Sequence, residues 1–199
     1  MTDAGAVEFA AYESLSDAQA RQILDRHPHP ETLLAAMDIV ATALGIDRTE
    51  IIETSPTDPR AVACLTAYYN ELAQRLATGF DVSLSADPEA QDMMPPRGAF
   101  LLAISDGMPI GCVGLKGTTK GYAEVKRLWT APSARGMGLA KRLMSALETR
   151  ARDLGIDLLR LDSNSALPEA VAMYRRLGWT EIDRFNDDPY PDVFFERRL

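Results

Sequence analysis

The chain of 199 residues is 46% hydrophobic and 25% charged, an ordinary globular composition long enough to bury a core as one large domain or a domain with an appendage. Its formal net charge of −8 argues against nucleic acid as the main partner, because phosphate contacts demand a face dominated by Lys and Arg. Cys64 and Cys112 fit buried, reduced thiols, and with no bilayer-length apolar run and no basic-then-apolar leader the expected setting is cytoplasmic, without membrane contact.

Residues 1–12 show no pattern. Ser16 with Gln19 three residues on is a capping-box candidate for a helix that should stop near His27, since Pro28 and Pro30 disfavour its continuation. A second helix is predicted from Pro30, with Leu33, Met37, Val40 and Leu44 at 3-4 spacing until Gly45. His27 and His29, flanked by prolines and lacking a Cys or third His nearby, read as a solvated turn, so no metal site is expected. Residues 1–48 are thus a helical N-terminal extension, and 49–199 the main domain.

From Glu50 the pattern changes. Ile51 and Ile52 suit a short strand, and Asp58 followed by Pro59 is an N-cap and first-turn pair opening a long helix with a seam at Val62, Leu65, Tyr69, Leu72 and Leu76. Phe80 to Arg97 is an aperiodic loop of a length that usually signals function or mobility. Strands follow over Ala99–Ser105, Pro109–Lys116 and Tyr122–Thr130, the first apolar enough to be covered on both faces. A helix from Leu139 carries Leu143, Met144, Leu147 and Ala151 on one stripe and ends at Gly155. Asp157–Asp162 is a strand and Pro168–Leu177 a short helix, and Trp179–Phe185 and Val193–Arg198 complete the sheet. Periodicity alone gives only α/β or α+β.

The informative stretch is LWTAPSARGMGLAKRLMSAL, Leu128 to Leu147, which ends a strand, turns through small residues and starts a helix. A helix start presents unpaired N–H groups and partial positive charge, and glycines let an anion approach the backbone, so this is a phosphate cradle. Lys141 stands where a dinucleotide fingerprint needs its third glycine, and no P-loop pattern is present. Arg135, Gly136, Met137, Gly138, Leu139 and Ala140 resemble the R/Q-x-x-G-x-G/A signature of the GNAT acyl-CoA N-acyltransferase superfamily. Ala170 to Trp179, AVAMYRRLGW, resembles its second signature. The resemblance covers roughly residues 50–199. It implies an α/β (α+β) GNAT fold, with a mixed sheet of about six or seven strands flanked by helices. The segment HPETLLAAMDIVATALG bears a low-specificity resemblance to the last helices of MarR-type regulators. Residues 1–48 are too few for a winged DNA-binding domain, so a helical appendage that packs on the core or mediates a homodimer is preferred.

The resemblance further implies an N-acetyltransferase that moves an acetyl group directly from acetyl-CoA to an amine. The pyrophosphate would lie on Arg135, Gly136, Met137, Gly138, Leu139 and Ala140, with Lys141 and Arg142 following either as phosphate contacts or as a solvated helix face. The backbone of Leu128, Trp129 and Thr130 would partner the pantetheine arm, and the N–H near Leu128 the acyl carbonyl. Tyr174 occupies the position of a general acid, or else packs its ring beside the cofactor. Glu124 is either the general base acting through water or a strand residue paired with Lys126. Asn164 is either a contact to the cofactor arm or a loop residue before the helix. The 80–97 loop, Tyr68, Tyr69, Phe185, Tyr190 and the acids Asp183, Asp187, Asp188 and Asp192 are acceptor-side candidates. Small amine, amino acid, peptide and protein lysine all remain open as acceptors, and a non-catalytic acyl-CoA-binding module is the alternative.

Overall fold

The computed structural model describes residues 18–77, 79–84 and 91–199. The chain divides into two compact units, Met1–Leu44 and Gly45–Leu199, where the sequence suggests a division after residue 48. In the first, helix α1 covers 18–26 and α2 runs Pro30–Gly45, with the His29 N–H donating to His27 Nδ1 (3.1 Å) in the exposed turn between them. Met37, Val40 and Leu44 of α2 are exposed. The candidate cap Ser16 lies outside the described residues.

The second unit is a seven-stranded sheet, β1 Glu50–Thr54, β2 Ala99–Ser105, β3 Met108–Gly117, β4 Ala123–Thr130, β5 Leu158–Ser163, β6 Thr180–Ile182 and β7 Val193–Arg198, in the order β1-β2-β3-β4-β5-β7-β6. Neighbours are antiparallel except β4 and β5, which run parallel. Helix α3 (Pro59–Arg75) covers one face and α4 (Leu139–Asp153) the other, and α5 (Pro168–Arg176) follows β5. Strand β2 shows the two-sided burial its apolar run predicts. Leu101 and Ala103 pack with α4's Leu139, Leu143, Met144, Leu147 and Ala151, whereas Phe100 and Leu102 meet α3's Ala61, Cys64 and Leu65. Each fully buried large side chain here contributes about 1.5–3 kcal/mol.

α3 starts as its sequence demands. Asp58 Oδ1 accepts from the Arg60 N–H (2.8 Å) and Pro59 fills the first turn, where its missing N–H costs nothing. It ends at Arg75 rather than near Gly79, and the following loop carries two 3₁₀ turns, Val82–Leu84 and Gln91–Met93, of which the second buries Met93 against Phe100 and Cys112. β6 is shorter than expected. It pairs only with β7, and Phe185 leaves the strand to pack edge-on against Tyr122 and Phe194. Glu148 of α4 is buried and paired with Arg197 (3.2 Å). Among the described residues, no helix is long and apolar enough to cross a membrane.

Candidate active site

Two irregularities of β4 create the site. Cys112 pairs with Trp129 and Gly114 with Lys126, which leaves Val113 opposite both Arg127 and Leu128: a β-bulge, with Arg127 at φ 57°. The Cys112 thiol donates to the Arg127 carbonyl at 3.4 Å. Meanwhile the β4–β5 ladder runs only from Ala123↔Leu159 to Val125↔Leu161. Beyond it, Lys126, Arg127 and Leu128 on one strand and Asp162 and Ser163 on the other line a cavity where hydrogen bonds would otherwise be.

On the other side of Leu128 a groove runs along the end of β4 to the start of α4. It is lined by Leu128, Trp129, Thr130, Arg135, Gly136, Gly138, Leu139, Ala140 and Lys141, facing Glu71 and Arg75 of α3 and Glu169, Ala170, Met173, Arg176 and Leu177 around α5. Gly136 and Gly138 sit at φ 78° and 80°, backbone that L side chains rarely adopt, and a Cβ on either would meet no protein atom within 4 Å. Both glycines line the groove. Gly138 is the N-cap of α4 without a side-chain cap, so the first-turn N–H groups are left for a ligand. That combination, glycines opening to a groove and an uncapped helix start, fits an anionic phosphate group. Met137 is exposed and lines neither space.

Glu71 organises the groove from α3. One carboxylate oxygen accepts from Trp129 Nε1 (3.0 Å) and Arg135 Nη2 (2.5 Å), the other from Arg75 Nη1 (3.4 Å). Burial pushes the Glu71 carboxyl up, but the hydrogen bonds and charge of Arg135 outweigh it and hold it below its ordinary value. Arg135 also donates to the Thr130 carbonyl (3.2 and 3.3 Å), so its side chain braces the turn that it begins. Arg75 reaches across to Glu169 and the Ala166 carbonyl (2.9 Å), and its hydrogen bond holds Glu169 down at about 2. Arg142 turns away, donating to the Ile46 and Thr49 carbonyls (2.9 and 2.6 Å), and so braces the chain entering β1. Lys141 alone of the basic pair lines the groove.

The cavity, about 130 Å³, shares Tyr68, Leu72, Leu128, Leu167 and Ala170 with the groove, so the two spaces meet at the bulge. Tyr174 lines it, buried at 6% exposure, with its ring 5.7 Å from Phe195 and 6.2 Å from Trp179. Burial, and then the charge of Asp162, push its phenol far up, so it is protonated at any physiological pH. Tyr68 is raised by the same burial together with Tyr174. Lys126 Nζ lies 2.6 Å from Asp162 and 3.3 Å from Glu124; burial alone would lower it, but these two carboxylates raise it, keeping it charged.

Glu124 is buried behind Lys126 and lines neither the cavity nor the groove. Asn164 lines the cavity, not the groove, and its amide is engaged at both ends, donating to the Tyr190 carbonyl (2.6 Å) and accepting from the Ala166 N–H (2.8 Å). Of the acids around the last loop only Asp188 lines the cavity; Asp192 instead holds Ser165. Tyr68, Tyr69 and Tyr190 reach the cavity and Phe185 does not. Sequence reasoning missed the Glu71 hub and the pairing of Lys126 with Asp162. The Glu71–Arg75 step is visible as an i,i+4 pair on a helix, but Arg135, 64 positions away, is not.

The acetyltransferase (GNAT) family model matches residues 65–179. An IAA acetyltransferase of Azospirillum brasilense is 34% identical over 116 residues, spanning 56% of this chain and 74% of its own length. The uncharacterized N-acetyltransferase YjgM of Escherichia coli is 28% identical over 150 residues, 74% and 89% of the two chains. Among solved structures, a GNAT-family acetyltransferase of Staphylococcus aureus Mu50 superposes with a TM-score of 0.66 at 20% identity, covering 76% of this chain and 99% of that one. PaiA N-acetyltransferase of Thermoplasma acidophilum, in complex with coenzyme A, gives 0.59 at 19% identity with the same coverage, 76% and 99%. At these identities the two structures bear on the fold.

Proposed function

We propose, from the premise that the chain belongs to the GNAT acetyltransferase family and is an acyltransferase, that it transfers an acetyl group from acetyl-CoA directly to a primary amine. The observation that carries the reading is the junction at Leu128, where a phosphate-fitting groove meets a cavity lined by a protonated tyrosine. Acetyl-CoA, when bound, supplies the thioester whose acyl carbon the amine attacks.

The chain's own groups do the rest. The first-turn N–H groups of α4 and Lys141 hold the phosphates, and the β4 edge from Leu128 to Thr130 orients the arm. The Leu128 N–H, presented by the bulge, polarises the carbonyl. Tyr174 gives its proton to the departing thiolate, and the phenolate is reprotonated by the proton that the amine nitrogen loses as it bonds to the acyl carbon. Asp162 is the carboxylate that faces the arriving amine, and Glu124 acts through Lys126, balancing its charge and fixing its position beside Asp162. The buried cysteines take no part as nucleophiles: neither lines the groove or the cavity.

Calorimetry with acetyl-CoA, followed by thiol release over a panel of amines, tests this. Binding with amine-dependent release is expected; absence of binding overturns the reading. Binding without release from any amine favours instead a non-catalytic acyl-CoA-binding module.

A further inference from the structure

Resting on that reading, we infer that the acceptor is a small primary amine carried on an aromatic or similarly flat apolar body, and not a polyamine or a lysine displayed by a peptide. The cavity is two-sided. Its charged groups come from β4, β5 and the last loop: Lys126 and Asp162 paired at 2.6 Å, Asp188, and Arg127, whose guanidinium lies over the Tyr69 ring at 5.8 Å. The other side, from α3 and the segment after it, is Tyr68, Tyr69, Leu72, Leu76, Phe80 and Met93. Tyr68 adds no charge there, since burial keeps its phenol protonated.

Aromatic rings form a continuous band that runs from this side to Tyr190 of the last loop. Tyr69 packs against Tyr68 at 5.5 Å and stacks on Phe80 at 5.6 Å with planes 21° apart, and Phe80 meets Tyr190 at 4.8 Å. The Tyr190 hydroxyl accepts from the Asp81 N–H (2.9 Å) and donates to the Asp81 carbonyl (3.2 Å). Its polar end is thereby spent on backbone, and the two loops are clasped together at the cavity. A flat apolar body gains burial and ring contacts against such a band. At about 130 Å³ the space lies below the roughly 300–1,000 Å³ of drug-sized ligand sites, so the body must be compact.

The orientation follows from the same asymmetry. With its body on the band, the amine points toward Asp162, Tyr174 and Leu128, where the groove delivers the acyl group. A polyamine would bring a second ammonium into a small cavity that already holds the cations Lys126 and Arg127, the latter seated over the Tyr69 ring, and like-charge repulsion there opposes it. A peptide lysine would need a trough where the Asp81–Tyr190 clasp now runs.

The test uses the full chain at saturating acetyl-CoA with 2-phenylethylamine, tryptamine, spermidine and a lysine-containing peptide, reading thiol release. The aromatic amines are expected to exceed spermidine and the peptide in kcat/KM by at least about tenfold, the worth of burying one ring rather than exposing it. Phe80→Ala should raise KM for 2-phenylethylamine by about tenfold while leaving KM for acetyl-CoA unchanged, because Phe80 lines only the cavity. Equal or better turnover of spermidine or the peptide overturns the inference and leaves acetyl transfer standing. So does a Phe80→Ala variant that binds acetyl-CoA normally and keeps its aromatic preference. Release with no amine at all overturns both.

Discussion

The groove and the cavity meet at Leu128 yet are built by opposite means. The groove is largely backbone: one contiguous run, Leu128 to Lys141, offers a strand edge, two left-handed glycines and an uncapped helix start. The cavity is largely side chains, drawn from α3, the 79–84 segment, the bulge of β4, the end of β5, α5 and the last loop. Backbone donors are the same whatever residue carries them, so a groove of this kind binds one invariant ligand. A surface of rings and ion pairs changes with every substitution, so under the proposed function the cavity is the part that would select the acceptor.

The contrast breaks most visibly at Tyr174. Tyr174→Phe keeps the ring packed against Trp179 and Phe195 and removes only the proton. kcat should fall by roughly a hundredfold, the low end of general acid–base contributions, with the affinity for acetyl-CoA intact. Steady-state kinetics read the first and calorimetry the second; an unchanged kcat removes Tyr174 as the acid. Next is Gly138→Val, at φ 80° and opening to the groove. Left-handed strain and a side chain between ligand and N–H groups should weaken acetyl-CoA binding by about tenfold or more. If the amine KM rose instead, the groove and cavity would have been exchanged.

This division also explains what could be read in advance. The groove was legible because its determinants are consecutive: Arg135 to Ala140 spell a turn and a helix start, and the stripe from Leu139 to Ala151 says which way the helix packs. The strands were legible for a related reason, since β2's unbroken apolar run has no solution but a central position between two helices. The cavity was not legible, because nothing local makes Phe80 approach Tyr190 or Lys126 meet Asp162, 36 positions away. Glu124 shows the limit well: the sequence leaves it either a base or a partner of Lys126, and the structure places its carboxylate 3.3 Å from Lys126 Nζ. Arg142 is similar, a cation beside the cradle in sequence but bound to β1-side carbonyls in space.

Glu71 joins the two regions, since α3 supplies the cavity's aromatic side and Glu71 holds Trp129 and Arg135 of the groove. Glu71→Gln keeps the shape and removes the charge. Its partners are partly exposed, Arg135 at 40%, so solvent screening limits the loss to about 1 kcal/mol, a shift of a few degrees in melting temperature. A loss far above that would mean the hub holds the fold and not merely the groove.

The smallest effect concerns pH, and it separates the regions by its absence. The Tyr174 and Tyr68 phenols are both raised above their ordinary value, chiefly by burial, so both keep their protons in the folded chain beyond the pH at which an unfolded tyrosine loses its own, about 10. The folded state therefore holds protons more tightly, and the stability this gives is fully present below about pH 10 and is lost as pH rises above it, by at most about 1.4 kcal/mol per pH unit for each phenol. Between about pH 7 and 9.5 neither phenol titrates, so kcat at saturating amine should show no alkaline decline from the acid. The phenols add no slope to melting temperature over the same range, and their contribution falls only above it, less steeply in Tyr68→Phe. A decline in kcat centred near pH 8 that Tyr174→Phe abolishes would show a phenol that ionises in solvent, contrary to its burial at 6% exposure.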